Sequence, residues 1–169
     1  MIERLTRLLR HRWRDDAALR RALPPELLER LARRVAASER RHSGEIRIYV
    51  EAGLPNSYLL RGAGARERAV AMFGKLRVWD TEHNNGVLIY LMLAEHAIEI
   101  VADRGLARRV DAGVWKAIVE RMGGAFRKRQ FEDGLTQALE EVSALLVQHF
   151  PLAPGQIRAN ELPDAPALG

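Results

Sequence analysis

The chain has 169 residues, 47% of them apolar, and carries 27 Lys and Arg against 22 Asp and Glu. This length predicts one domain rather than two, and the apolar fraction is enough to build a core, so a globally disordered chain is excluded. Cysteine is absent. Its absence excludes a disulfide scaffold, a thiolate zinc site and a cysteine nucleophile.

The excess of positive charge is confined to the first part of the chain. Residues 1–41 hold 12 Arg against 6 acidic residues, whereas residues 42–169 hold 15 basic and 16 acidic ones. Proteins that bind nucleic acid usually spread a basic face over a domain and interleave aromatic side chains. The basic region here offers Trp13 as its aromatic residue. We therefore interpret the arginines as a solvated helix face and do not expect a nucleic-acid partner.

Residues 1–22 are predicted to form a basic amphipathic helix ahead of the main domain. Its apolar residues recur at helical spacing between arginines: Ile2, Leu5, Leu8, Leu9 and Trp13. Such a stripe packs on its own domain or lies on a membrane surface, so peripheral membrane contact through residues 1–14 stays open. The arginines break up any signal-peptide centre. The longest apolar run, Val87–Ala94, is far short of the ~20 residues that span a bilayer, so we expect a cytoplasmic protein without a transmembrane anchor.

The first part of the main domain is predicted to contain a helix, a strand and a second helix. Pro24-Pro25 opens a helix that continues to about Arg41, because proline is tolerated in the first turn. Glu45–Val50 alternates polar and apolar residues, which is typical of a half-buried strand. Gly53–Tyr58 is predicted as a loop, and a second helix is expected over about Ala63–Gly74.

A polar connector, Val78–Asn85, leads into two further predicted strands. Val87–Leu93 is continuously apolar, as in a strand covered on both faces, and Ala97–Ala102 follows after a short link. So short a link makes these two strands an antiparallel hairpin. The first strand reaches the second through a helix, which is the right-handed parallel crossover of α/β proteins.

The rest of the chain is predicted to be helical and then irregular. Helices are expected over Val110–Met122, ended by Gly123-Gly124, and over Phe131–Phe150. Residues 151–169 are rich in proline and form a tail, either draped over the body or loose. The predicted fold class is α/β, a three-layer α/β/α sandwich over residues 23–150 with a small mixed sheet of a parallel crossover and an antiparallel hairpin.

Oxygen-bearing side chains gather at one edge of the predicted sheet. In an antiparallel hairpin the end of the third strand lies beside the start of the second, so Asp103 is expected next to residues 80–85. Side chains in this connector alternate as oxygen ligands do around a hard cation. We therefore predict a calcium or magnesium site with four ligands: Asp80, Glu82, Asn84 and Asp103. Supporting contacts around those ligands are expected from Asn85, Asp111 and His83.

The sequence gives weaker support to other interpretations of this connector and to other kinds of catalytic or cofactor site. An EF-hand is excluded, since Gly86 comes one place late and Leu91 stands where a bidentate glutamate belongs. Asp80 and Asn84 are also common turn residues that bond their own backbone. The sequence has no G-x-S-x-G nucleophile elbow and no phosphate-binding loop. Gly62-x-Gly64 is half of a dinucleotide fingerprint in the wrong place, so no organic cofactor is expected.

Four short blocks, in order along the chain, resemble the TPM domain family of thylakoid-lumen, photosystem II repair and receptor-auxiliary proteins. The resemblance rests on these segments: Ser43–Ile46, Asn84–Ile89, Val101–Leu106, and Phe126-Arg127 through Phe131 to Gly134-Leu135. It implies an α/β/α sandwich. It also implies a range of functions, since family members include acid phosphatases, calcium binders and regulatory modules beside membrane complexes. His149-Phe150-Pro151 and Asn160–Asp164 are similar to a stand-alone cytosolic subgroup of bacterial proteins.

Three functional hypotheses follow. The first is a cytosolic binding or regulatory module that holds a divalent cation at the acidic edge. The second is a metal-assisted, acid phosphatase-like hydrolase, in which the cation polarises a phosphoryl oxygen and Arg104 pairs with phosphate charge. The third is a membrane-surface or protein-complex docking factor, which acts through the arginine-rich first helix on an unidentified protein partner or on lipid.

Overall fold

A four-stranded sheet forms the middle layer of the computed structural model, which describes residues 16–153 and 155–169. The strands are β1 (Ile46–Glu51), β2 (Val87–Met92), β3 (Ala97–Ala102) and β4 (Ala167–Leu168). They lie in the order β3-β2-β1-β4. β1 and β2 are parallel, with Ile46 opposite Val87, and β2 and β3 are antiparallel, with Val87 opposite Ala102. The predicted parallel crossover and hairpin are both confirmed.

Helices cover both faces of this sheet. The helices are α1 (Asp16–Ala22), α2 (Pro25–Glu39), α3 (Asn56–Leu60), α4 (Ala65–Lys75), α5 (Arg104–Ala107), α6 (Ala112–Arg127) and α7 (Phe131–His149). Apolar residues of α1, α2, α6 and α7 form one core cluster with the sheet, and those of α3 and α4 form a second cluster. The molecule is therefore an α/β/α sandwich, which confirms the predicted fold class.

Successive side chains of a strand point to opposite faces of the sheet, so neighbouring residues belong to different core clusters. Ile46, Ile48 and Val50 of β1 belong to the larger cluster, whereas Tyr49 belongs to the smaller one. β2 is buried at every position because helices cover it on both sides and strands flank it. Its continuous apolar run is therefore explained by its central place in the sheet.

The predicted end of a helix at Gly123-Gly124 is wrong. α6 continues to Arg127, and the chain turns away at Arg129, which has a φ of 60°. Met122 and Phe126 lie on either side of the glycines and are both buried, so the apolar repeat of the helix runs through them. The packing of that face outweighs the ~1 kcal/mol by which each helical glycine is disfavoured relative to alanine.

Two short helices and one strand were not expected from the sequence. α3 begins at Asn56, inside the segment predicted as a loop, and follows directly on Pro55. α5 follows Asp103 at the end of the hairpin. β4 forms within the predicted tail and pairs in parallel with β1, with Tyr49 opposite Ala167.

The tail lies against the body of the molecule. Leu162 is buried, and Arg47 donates hydrogen bonds to the carbonyl oxygens of Pro163 and Ala165, the latter at 2.5 Å. Arg158 pairs with Glu39 near the end of α2. Of the two states predicted for residues 151–169, the draped one is therefore observed in the described part.

The predicted apolar stripe from Ile2 to Trp13 lies outside the described residues. α1 follows it, and its Leu19 is buried in the larger core together with Leu23. Within residues 16–153 and 155–169, no helix combines the length and the apolar character that crossing a membrane requires.

Candidate functional site

The start of β2 and the end of β3 meet at one edge of the sheet, as the hairpin geometry predicts. The amide of Asp103 donates to the carbonyl of Gly86 at 2.8 Å, and the amide of Gly105 donates to the carbonyl of Asn84 at 2.8 Å. The first strand begins at the same edge, where Asn85 bonds Ser43. We call this group the rim: Ser43, Asn84, Asn85, Asp103 and Arg104.

Asp103 caps α5 with one carboxylate oxygen. Oδ1 accepts a hydrogen bond from the amide of Arg104 at 2.6 Å, and the residue is 8% exposed. The other oxygen, Oδ2, is buried and has no hydrogen-bond partner in the described part of the chain. Buried carboxylate oxygens are normally satisfied by a donor, a water molecule or a cation, because desolvating them without a partner is costly. Asp103 therefore presents an unused acceptor at the rim.

Asn85 has a second unused acceptor. Its side chain is fully buried, and Nδ2 donates to Ser43 Oγ at 3.1 Å. Its backbone amide donates to Thr81 Oγ1 at 3.1 Å, which holds the connector against the start of β2. Oδ1 is buried without a partner among the described residues. Carboxylate and amide oxygens are the donors that calcium and magnesium prefer, so the chemistry of these two atoms fits a hard cation.

Arg104 and Asn84 form the exposed side of the rim. Arg104 Nη2 donates to Asn84 Oδ1 at 3.0 Å, and Asn84 has a φ of 50°, in the left-handed region that asparagine tolerates. Gly105 makes this arrangement possible, because a Cβ there would overlap the carbonyl oxygens of His83 and Asn84. The guanidinium of Arg104 is thus held by Asn84 on the exposed side of the rim.

The other predicted site residues have different partners. Asp80 Oδ2 lies 2.5 Å from Arg77 Nη2 in an exposed ion pair. The amide of Glu82 donates to Glu161 Oε2 of the tail at 3.0 Å. Asp111 caps α6, accepting from the amide of Gly113 at 2.7 Å. Within the described ranges, no group of three or more His, Cys, Asp or Glu side chains is placed to hold a metal ion.

A buried acidic pair, Glu39 and Glu45, lies between the rim and the tail. Glu45 immediately precedes β1 and is fully buried, and Glu39 is 5% exposed. Glu45 Oε1 accepts from the Arg158 guanidinium and from the amide of Glu161, while Oε2 has no partner in the described residues. Burial raises the pKa of Glu45, and burial together with the charge of Glu45 raises the pKa of Glu39 to about 8.

The contacts that the tail makes at this edge were not predicted from the sequence. Glu161 and Arg158 lie more than 70 residues from the groups they bond, and nothing in their local sequence marks them. Ser43 belongs to the Ser43–Ile46 segment of the family resemblance, and Thr81 lies within the predicted connector Val78–Asn85. A long-range signal, such as coordinated variation among relatives, is what could have identified the tail residues.

The geometry defines the class of the protein as a small α/β/α domain with polar residues gathered at one sheet edge. A model of the TPM domain family matches residues 18–145, and the chain belongs to that family. The match spans all the elements from α2 to the middle of α7 and includes the rim.

The solved structures that are similar to this chain include the following two. The BA42 protein of the psychrophilic bacterium Bizionia argentinensis shares 26% sequence identity, with a TM-score of 0.75 over 87% of this chain and 95% of that one. The N-terminal domain of a protein from P. gingivalis shares 20% identity, with a TM-score of 0.60 over 78% and 82% of the two chains, and supports the fold alone. No curated protein matches the sequence.

Proposed function

We propose that this TPM domain is a cytoplasmic binding module that takes a divalent cation, calcium or magnesium, at the rim. The proposal rests on two buried oxygens, Asp103 Oδ2 and Asn85 Oδ1, that have no hydrogen-bond partner among the described residues. Asp103 and Asn85 would hold the cation. Asn84 and Glu82 are adjacent oxygen donors that could complete its shell, and Asp80 would first have to leave Arg77.

Calorimetric titration of the full-length protein with calcium and with magnesium tests the proposal. Asp103→Asn is the informative variant, because asparagine also caps helices well and removes the charge with little change to α5. We expect it to weaken cation binding at least tenfold, in line with the loss of one charged ligand. Asp133→Asn, an exposed change in the first turn of α7, is the matched control and should bind as the unmodified chain does. Absence of any binding heat at millimolar metal contradicts the proposal.

A second candidate function is metal-assisted hydrolysis of a phosphate ester. The observation in its favour is the exposed guanidinium of Arg104, which Asn84 fixes at the rim, while the backbone amide of the same residue bonds Asp103. In this mechanism the cation supplies Lewis-acid polarisation of a phosphoryl oxygen, and Arg104 binds the phosphate charge. Release of phosphate from an aryl phosphate would depend on both residues. Activity that persists in Asp103→Asn contradicts this role.

The variant Arg104→Gln separates the two candidates. If the rim only binds a cation, removing a neighbouring positive charge should tighten binding by about twofold or more, since exposed charges interact weakly. If the rim hydrolyses phosphate esters, the same change should lower the rate and raise KM, because a charge-assisted contact to phosphate is lost. Measuring cation affinity and hydrolysis on one preparation distinguishes these outcomes.

The third candidate, docking to a membrane surface or protein complex, depends on residues 1–14, which the structure does not describe. A deletion of residues 1–22 is a poor test, because it removes Leu19 from the core. Replacing Arg4, Arg7 and Arg10 with Gln in the full chain removes the charge instead. Equal sedimentation of both proteins with anionic vesicles would eliminate these arginines as a membrane contact.

A further inference from the structure

A cavity of about 830 Å³ lies at the opposite end of β2 from the rim. It is formed between α1, the residues that follow β2, and the loop that joins α6 to α7. Six of its lining residues matter here: Arg21, Leu93, Phe126, Arg127, Arg129 and Phe131. Because Leu93 follows β2 and Asn85 precedes it, the cavity and the rim are roughly 25 Å apart along the strand. The two sites are therefore distinct.

The arginines of this cavity have no acidic partners among residues 16–153 and 155–169. Arg21, Arg127 and Arg129 are exposed, and none of them forms an ion pair with a carboxylate in the described part of the chain. Two nearby arginines behave differently, since Arg121 of α6 pairs with Glu141 and Arg30 of α2 pairs with Glu132. The described residues that line the cavity include no Asp or Glu. The cavity therefore concentrates positive charge that no carboxylate of the described lining compensates.

Aromatic and aliphatic side chains supply the rest of the lining. Phe126 is 2% exposed and packs against Phe131, with ring centroids 5.4 Å apart and planes tilted by 34°. Leu93 is also buried. Ligand sites typically combine an apolar lining with a few convergent polar groups in a volume of about 300–1,000 Å³, and this cavity has both properties.

The backbone around the cavity is unusual at two positions. His96 and Arg129 both line it and have φ values of 50° and 60°. Four non-glycine residues have positive φ within the described ranges, so half of them lie at this one cavity. Histidine adopts this conformation more readily than most residues, but for an arginine it is uncommon, and such positions tend to occur where a site is built.

We infer that this cavity is a binding site for a small phosphate ester whose organic part is flat and apolar. Guanidinium groups match the geometry of phosphate oxygens and form charge-assisted hydrogen bonds with them. Three guanidinium groups without acidic partners in the described part of the chain suit a dianion better than a singly charged carboxylate. The half-buried ring of Phe131, backed by the buried ring of Phe126, provides the surface for the organic part. The segment Phe126–Leu135, which contributes to the family resemblance, thus forms one wall of the proposed site.

Titration of the full-length protein with phenyl phosphate, followed by calorimetry and by amide NMR shifts, tests this inference. Arg127→Ala and Arg129→Ala should each weaken binding about tenfold, as expected for one lost charge-assisted contact. Lys128→Ala is the matched control, because Lys128 lies between the two arginines, carries the same charge and is not among the lining residues. If all three variants lose the same affinity, the effect comes from the overall positive charge rather than from specific contacts, and the proposed site is wrong.

Two further experiments test which part of the ligand is bound and whether its phosphate group belongs to a small molecule or to a lipid. Inorganic phosphate should bind more weakly than phenyl phosphate, and Phe131→Leu should weaken phenyl phosphate while leaving inorganic phosphate unchanged. Vesicles that contain an anionic phospholipid test the other source of phosphate groups. Binding to vesicles without measurable binding of phenyl phosphate would overturn a small-molecule site. These measurements need no divalent cation, so their outcome is independent of the proposal for the rim.

Discussion

Arg158 donates from Nη2 to Glu39 Oε2 at 2.7 Å, although the two residues are 119 positions apart. The same guanidinium also pairs with Glu45, and its Nε donates to the carbonyl of Glu39 at 3.2 Å. Glu39 and Glu45 are nearly or fully buried, so one arginine of the tail compensates two buried carboxylates of the body. Since there is one positive charge for two acids, the pair favours keeping a proton, which agrees with the raised pKa of Glu39.

Arg158→Ala should destabilise the protein strongly. Removing one partner of a buried ion pair leaves the other charge uncompensated, which costs about 3–5 kcal/mol in free energy of unfolding. Urea unfolding followed by circular dichroism measures this change. Arg33→Ala is the control, because its ion pair with Glu29 is exposed and should contribute less than about 1 kcal/mol. A loss no greater for Arg158→Ala than for Arg33→Ala would show that the tail does not depend on this contact.

Stability should fall as the pH rises from about 4.5 to about 8. The pKa of Glu39 is raised in the folded protein to about 8, chiefly by burial, so the folded state holds a proton that the unfolded state releases near pH 4.5. The stabilisation from that proton is complete below the unfolded pKa and is lost as the pH rises through the folded one. Glu39→Gln should flatten the dependence between the unfolded pKa of 4.5 and the folded pKa of about 8. A profile that is unchanged in this variant would assign this loss to another group.

Stability should also fall on the acidic side because of His42. Burial lowers the pKa of His42 to about 4, and the neutral ring is held between Ser38 Oγ at 2.9 Å and the Gly44 carbonyl at 3.1 Å. Because a carbonyl can only accept, Nδ1 donates to Gly44 and Nε2 accepts from Ser38. The stabilisation is complete above pH 6.5 and is lost as the pH falls to about 4, with a total of about 3 kcal/mol. Unfolding of His42→Gln over pH 4–7 should show a shallower slope; an equal slope would contradict the assignment.

Two glycines of the chain should respond oppositely to alanine. Gly105→Ala should destabilise by about 1–3 kcal/mol, because its Cβ would overlap the carbonyls of His83 and Asn84 and push the rim apart. Gly124→Ala should stabilise by about 0.5–1 kcal/mol, since it lies inside α6 and its Cβ would meet no atom within 4 Å. Thermal unfolding of both variants checks the signs. Stabilisation by Gly105→Ala would mean that the carbonyls move apart at little cost.

Much of the fold could be predicted from local sequence patterns. Polar and apolar residues alternate along β1, and β2 is a continuous apolar run. The link between β2 and β3 is so short that the two strands must form a hairpin. The topology therefore followed from the geometry of the chain. The end of α6 could not be predicted, because Gly123-Gly124 resembles a helix stop and only the buried neighbours on either side reveal that the helix continues. β4 is two residues long, which is too short for any periodic pattern.

The candidate site was predicted less completely. The hairpin geometry placed Asp103 beside Asn84 and Asn85, and the structure brings those residues together. The alternation of Asp80, Glu82 and Asn84 suggested that they share one ligand shell. In the structure Asp80 pairs with Arg77, and Asn84 accepts from Arg104. Glu82 contacts Glu161 through its backbone amide. Side-chain partners of this kind depend on which arginine is near in space, and spacing along the chain does not contain that information.

The two-residue strand β4 has a consequence for how copies of this protein meet one another. It covers the outer side of β1, where the amide of Gly169 donates to the Val50 carbonyl and the amide of Ala52 donates to the Gly169 carbonyl, both at 3.0 Å. Those backbone groups would otherwise be open to strands from other molecules. The opposite edge, β3, carries Glu99 paired with Arg66, and a charge in that position discourages edge-to-edge association. Loss of the last few residues would thus expose a template for aggregation along β1, even though those residues contribute little to the core.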